Sequence, residues 1–220
     1  MFRPSRVFVA AVSLAAAACN DTNGNFVHTV NFALVRFVNA TDTPISVVNN
    51  GVINTNNASL VFGRQSACLA VDLTDGATVT FTNSVTGALI TVSTSTLTIG
   101  GNFTVVAFID TNGVMQFATV SNRFTPTAGH AGLRFFNAAT ASGPLTMLGN
   151  GIALSPPTPL GSASAFVNVP PVTETITFTN DTTVLNAGAM TFTAGQSSTI
   201  VVGPAAPGTT TLRFFTTTGC

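Results

Sequence analysis

The chain has 220 residues, 45% of them hydrophobic and 6% charged, and seven basic residues balance seven acidic ones to a net charge of zero. So apolar and uncharged a composition excludes an intrinsically disordered chain. So few cations exclude a phosphate-neutralising nucleic-acid surface or a polybasic lipid-binding patch.

The first element is MFRPSRVFVAAVSLAAAAC. Arg3 and Arg6 make a positive start, Val7 to Ala18 is a short apolar run, and small residues lead into Cys19. Residues 1–18 therefore read as a secretory signal peptide. The run is shorter than the ~20 apolar residues of a membrane span, and no later stretch comes closer, so the mature chain is not expected to cross a membrane. Ala16-Ala17-Ala18-Cys19 resembles a bacterial lipobox, with Ala16 where Leu is usual. The resemblance implies acylation of Cys19 and a lipid anchor, which several acyl chains make stable. The alternative is ordinary cleavage at a small-residue site, leaving a secreted protein. Asn20, not Asp, follows the Cys, which points to the outer membrane. Residues 19–31 then form a polar tether rich in turn formers.

From Phe32 the texture becomes that of strands. Thr78 to Asn83 (TVTFTN) and Thr175 to Asn180 (TITFTN) alternate strictly, with Val79 and Phe81 on one face of the first and Ile176 and Phe178 on one face of the second. Leu89 to Ile99 alternates in part, and Asn102 to Asp110 is a continuous apolar run. Turn formers separate these stretches: Asn50-Gly51, Asp75-Gly76, Thr86-Gly87, Gly100-Gly101 and Asn112-Gly113. Short β-branched and aromatic runs punctuated in this way, with no helical spacing among them, predict an all-β chain of sandwich or barrel type.

The same order of elements is written twice. VRFVNAT (Val35 to Thr41) returns as LRFFNAA (Leu133 to Ala139). Asn50-Gly51 returns as Asn150-Gly151, and Phe62 to Val71 as Leu160 to Val169. Val114 to Val120 returns as Thr211 to Thr217. Two copies are expected, at 32–124 and 131–220, joined by a linker at 125–130. Alternation turns Val35, Phe37, Leu133 and Phe135 inward and puts Arg36 and Arg134 on the opposite face. Each Arg then reads as a solvent-exposed strand residue, a local ion pair or a ligand-facing cation. Asn39 and Asn137 are expected to cap the turns that follow.

The strand ending in Asn-Ala, the following Asn-Gly and the Phe-Gly-x-x-Ser strand resemble the bacterial family catalogued as domain of unknown function 4397. Copy one carries Arg36, Asn39, Ala40, Asp42, Pro44, Asn50, Gly51, Phe62 and Gly63. Copy two carries Arg134, Asn137, Ala138, Asn150, Gly151, Gly161 and Ser164. The resemblance implies tandem immunoglobulin-like β-sandwich modules on an exported protein, often a lipoprotein, and supplies no catalytic residues. The Ser-Pro-Asp and Val-Asp-Val-Tyr stretches common in that family are absent from both copies.

Chemistry-bearing residues are sparse. His28 and His130 lie in the tether and the joint, poorly placed for an oriented catalytic triad. No Cys/His cluster suits zinc. Asp72 to Gly76 and Asp110 to Gly113 are the nearest approach to calcium-loop chemistry, and each reads more simply as a turn. Asp42, Asp72, Asp75, Asp110, Glu174 and Asp181 show no paired spacing of the glycosidase kind. With no Trp or Tyr, stacked sugar platforms are disfavoured, and the Phe residues read as core. Cys68 and Cys220 are either bridged, pinning copy two onto copy one, or a small buried apolar residue and a free thiol.

The expectation is a non-enzymatic lipoprotein of the bacterial cell envelope without cofactor or metal. Its partners are the membrane, through the anchor, and an envelope or extracellular protein or polymer. The alternatives are an enzyme or accessory acting on envelope polymers, and a purely structural spacer.

Overall fold

The computed structural model describes residues 31–49, 52–53, 59–73, 79–83, 89–92, 96–180, 184–205 and 211–220. The signal peptide, Cys19, the tether up to residue 30, His28, Asn50-Gly51, Asp75-Gly76, Thr86-Gly87 and Asp181 lie outside the described residues. Among the described residues the secondary structure is all β, with no α-helix and so no helix long and apolar enough to cross a membrane.

The first half holds strands β1 (Phe32–Asn39), β2 (Ile45–Asn49), β3 (Val52–Ile53), β4 (Leu69–Asp72), β5 (Val79–Asn83), β6 (Leu89–Val92), β7 (Asn102–Ile109) and β8 (Met115–Ser121). The second half repeats the series as β9 (Ala131–Asn137), β10 (Thr146–Gly149), β11 (Ile152–Ala153), β12 (Val167–Val169), β13 (Thr173–Thr179), β14 (Val184–Thr191), β15 (Ser197–Pro204) and β16 (Leu212–Thr218). The first half forms sheets β4-β1-β7-β8 and β3-β2-β5-β6. The second forms β12-β9-β15-β16 and β11-β10-β13-β14, the same orders with eight added to each strand number. In both halves the first strand pairs in parallel with the seventh, Phe37 opposite Val105 and Phe135 opposite Ile200.

Three buried clusters hold these sheets together. Val35, Phe37 and Val105 meet Ile45 and Val47 between the two sheets of the first half. Leu133, Phe135 and Ile200 meet Met147, Ile176 and Phe178 in the second. A third cluster joins the halves: Val38, Ala40, Val106 and Phe108 pack against Phe136, Ala138 and Val201. The sheets thus stack in four layers with apolar contacts at every junction.

Local chemistry explains how each copy closes. Asn39 and Asn137 are fully buried and do the same work. The Asn39 side chain accepts from the Thr41 amide at 2.8 Å and donates to Thr43 O and Leu60 O. Asn137 accepts from the Ala139 amide and donates to Gly143 O and Thr158 O. One side chain satisfies the turn and ties it to a distant segment, where an unpaired buried amide would cost ~1–3 kcal/mol. The Ser of the Phe-Gly-x-x-Ser strand is equally specific. Ser66 Oγ accepts from the Phe37 amide at 2.9 Å and Ser164 Oγ from the Phe135 amide at 3.1 Å. Asn150 and Gly151 both take positive φ, 48° and 83°, the geometry a two-residue hairpin turn requires.

One expectation is corrected. Strand alternation predicted a wet face on the first strand of each copy, with Arg36 and Arg134 on it. Every residue of β9 is buried and Arg134 is only 4% exposed, whereas Arg36 on β1 is half-buried. The outer face of β9 is covered by the other copy. The apolar run of β7 is buried throughout its middle for the same reason, as expected of a strand with a layer on each side.

Candidate functional site

The seam between the halves is built from equivalent residues that cross it in opposite directions. Arg36 Nη1 donates to Thr218 O at 2.8 Å. Its counterpart Arg134 donates from Nη1 to Ser121 O at 2.7 Å, from Nη2 to Asn122 Oδ1 and from Nε to Thr199 Oγ1. Each Arg thereby grips the end of the other copy's last strand. Arg134 also lies 4.2 Å from the Phe166 ring centroid, an attractive cation–π geometry. Its hydrogen-bond partners are neutral, and burial pushes its guanidinium down to about 10. It is still charged at neutral pH, held by carbonyl, amide and ring.

Beside these cations the copies differ. Cys68 and Cys220 form a disulfide that joins one half to the other, with Cα atoms 5.6 Å apart. Phe166, aligned with Cys68, instead stacks on Phe124 with centroids 4.7 Å apart and planes 13° apart. A covalent tie and an aromatic stack occupy corresponding places. Phe124 and Thr127, whose amide donates to Asn168 Oδ1, bind the joining segment to copy two. His130 sits at the end of that segment with Nδ1 3.3 Å from Ala128 O, far in sequence from any acidic partner.

The Gly of the Phe-Gly-x-x-Ser strand, preceded by Phe62 in copy one and Leu160 in copy two, also serves the seam. Gly63 and Gly161 take φ of 76° and 74°. A Cβ on Gly63 would meet Phe215 at 3.6 Å, an ordinary contact, but one on Gly161 would meet Phe108 Cζ at 2.6 Å. Gly161→Ala should cost about 2–4 kcal/mol, from left-handed strain plus overpacking. Gly63→Ala should cost only about 1–2 kcal/mol, from strain alone. Urea denaturation of the two variants measures the difference.

At the other end of the seam a cleft of about 410 Å³ opens where the loops of both copies converge. Ala40 and Ala138, from the two Asn-Ala signatures, line it with Asp42, Asp110 and Thr140. Thr140 Oγ1 donates to Ile109 O across the seam at 2.7 Å. Asp42 pairs with Arg213, whose guanidinium lies 3.3 Å from the Phe62 ring centroid. Sequence spacing had shown no paired carboxylates, yet Asp42 and Asp110 reach one cleft because β1 and β7 run side by side in parallel.

Neither carboxylate is idle. Asp110 Oδ1 accepts from the amides of Asn112 and Val114, both at 2.9 Å, and Oδ2 from Gln116 Nε2 at 3.1 Å. The Val114 amide above all, with Gln116 and Asn112, holds the Asp110 carboxyl below its usual value. Asp110 to Gly113 is therefore a capped hairpin turn. Because the folded value is depressed, this cap supports the fold above the ordinary carboxylate range and is lost as pH falls through the folded value. Asp110→Ala should lower the melting temperature slightly at pH 7 and match the parent chain in strong acid, read by circular dichroism melts. Glu174 is buried on β13 against Gly149, well apart in the fold from the cleft. Among the described residues no group of three His, Cys, Asp or Glu gathers to hold a metal. No protein-family model matches the chain, and no curated protein matches it.

Proposed function

We propose that the chain is a non-enzymatic, lipid-anchored protein of the bacterial cell envelope that presents the cleft between its two copies to an envelope or extracellular protein or polymer. Each copy is read as an immunoglobulin-like β-sandwich module, 32–124 and 131–220, with 125–130 between them. The shared core of two four-stranded sheets in each half supports that reading. The parallel first strand departs from the plain antiparallel pattern. The resemblance to domain of unknown function 4397 rests on the motif residues, several of which (Asn39, Asn137, Gly63, Gly161, Ser164) have structural work that explains their identity.

One observation carries the functional reading. The cleft lies at the Asn39 end of β1, and the tether enters at the Phe32 end. At ~3.3 Å per residue, a strand of eight residues separates the cleft from the end of β1 that the tether joins in sequence, which supports reading the cleft as the presented surface. Sandwich-end loops are the usual recognition surface. Lipidation at Cys19 is inferred from the lipobox resemblance, and placement in the outer membrane from Asn20, not Asp, after it. It is tested by labelling cells with a palmitate analogue: Cys19→Ala should abolish the label, and retained label would refute the anchor. Recognition is tested by capture from envelope extracts. Thr111→Arg, an exposed change at the cleft, should lose the captured partner without altering the melting temperature. Equal capture would place recognition elsewhere.

The enzymatic alternative gains one point, the meeting of Asp42 and Asp110 in a single cleft. Glycoside hydrolysis needs one carboxyl kept protonated as the general acid. Asp110 is shifted the opposite way, and Asp42 is engaged by Arg213, so the pair favours a binding role. A structural spacer remains the third reading, and the capture experiment separates it from the first.

A further inference from the structure

The Cys68–Cys220 bridge is asymmetric in three respects. Cys220 is exposed, whereas Cys68 is half-buried. Arg36 Nη2 lies 3.2 Å from Cys68 Sγ, and the same guanidinium is fixed by Thr218 through Nη1. A hollow of about 410 Å³ opens beside Cys220, lined by amide and hydroxyl side chains including Asn102, Asn122, Gln196 and Ser197.

These features bear directly on thiol–disulfide exchange. The attacked sulfur must be accessible, and the leaving sulfur departs faster when its thiolate is stabilised. A neighbouring guanidinium stabilises a thiolate. We propose that Cys220 is an exchange site for a small polar thiol, with Cys68 as the leaving group and Arg36 as the residue that positions and stabilises the leaving sulfur. The incoming thiolate attacks Cys220 Sγ and the Cys68–Cys220 bond breaks. Its electron pair goes to Cys68 Sγ, and a new disulfide joins the incoming sulfur to Cys220. The incoming sulfur is oxidised and Cys68 is reduced, so no further oxidant or reductant enters. The product carries the thiol compound on Cys220, in the polar hollow, and Cys68 remains as a thiolate against Arg36. The inference stands apart from the reading of the cleft, which lies at the opposite end of the seam.

The test uses the folded, oxidised full chain and reduced glutathione as the probe. After an acid quench, free thiols are alkylated and the adduct is located by peptide mass spectrometry. The adduct should sit on Cys220 with Cys68 alkylated, by about tenfold over the reverse arrangement, as the difference in leaving group and access implies. An adduct mainly on Cys68, an even distribution, or no exchange with millimolar glutathione would overturn the proposal. Arg36→Gln should slow exchange about tenfold, while Arg36→Lys, which keeps the charge, should stay near the parent rate. A variant that failed to fold would exchange faster and without preference for either sulfur, the opposite sign. Site mapping on the parent chain requires no variant.

Discussion

Replacing both Cys68 and Cys220 with Ala is expected to lower the free energy of unfolding by up to about 5 kcal/mol, the chain-entropy value for so long a loop. The bridge spans 152 residues of sequence, from the segment before β4 to the end of the chain, and leaves only β1 to β3 outside the loop. It acts mainly on the unfolded ensemble, which without it can separate the two halves freely. The native state loses less, because Arg36, Arg134 and the shared apolar cluster still cross the seam. Denaturant unfolding of the bridged and double-Ala chains measures the change, with a larger m-value expected for the unbridged form. A change under about 1 kcal/mol would mean that the unfolded halves remain associated without the bond. The corresponding Phe124–Phe166 stack offers a comparison, since such a pair adds only ~0.5–1.5 kcal/mol beyond its area burial.

Phe136→Ala should cost about 3–5 kcal/mol, the range for truncating a fully buried Phe. Phe136 is fully buried and lies on the seam face of β9, edge-on to Phe108 with centroids 5.8 Å apart. Its counterpart in copy one is Val38, which is also fully buried. Val38→Ala removes two methylene equivalents and should cost about 1.5–3 kcal/mol. Phe108→Ala combined with Phe136→Ala should be less destabilising than the sum, because the two rings share one contact. A cost below about 1 kcal/mol for Phe136→Ala would show that the copies are stable independently and the seam adds little. A cost in the predicted range makes the two copies one cooperative unit, and calorimetry should then show a single transition in the parent chain.

The parts of this fold legible from sequence are those that depend on near neighbours. Ile176 and Phe178 could be placed inward because side chains two apart share a face, and both are fully buried. The duplication was legible because equivalent residues do equivalent work, as Ser66 and Ser164 do. Arg134 was misplaced for a reason of the same kind. Alternation separates the two faces of a strand but does not say what covers the second one. Asp42 and Asp110 likewise meet only because strands far apart in sequence pair in parallel, which no local spacing encodes.

By itself the sequence determined the all-β class, the order of elements, their duplication and the inward faces of the first strands. These follow from steric preference, turn chemistry and period-two burial, all properties of a few adjacent residues. The tertiary structure decided that the second face of β9 is also buried and that of β1 partly so, that both Arg residues cross to the opposite copy, and that the loops of both copies meet in one cleft. Those outcomes depend on complementarity between surfaces some hundred residues apart in the chain. Phe108 over Gly161 and Phe215 over Gly63 are such fits, and each exists only after both copies have formed.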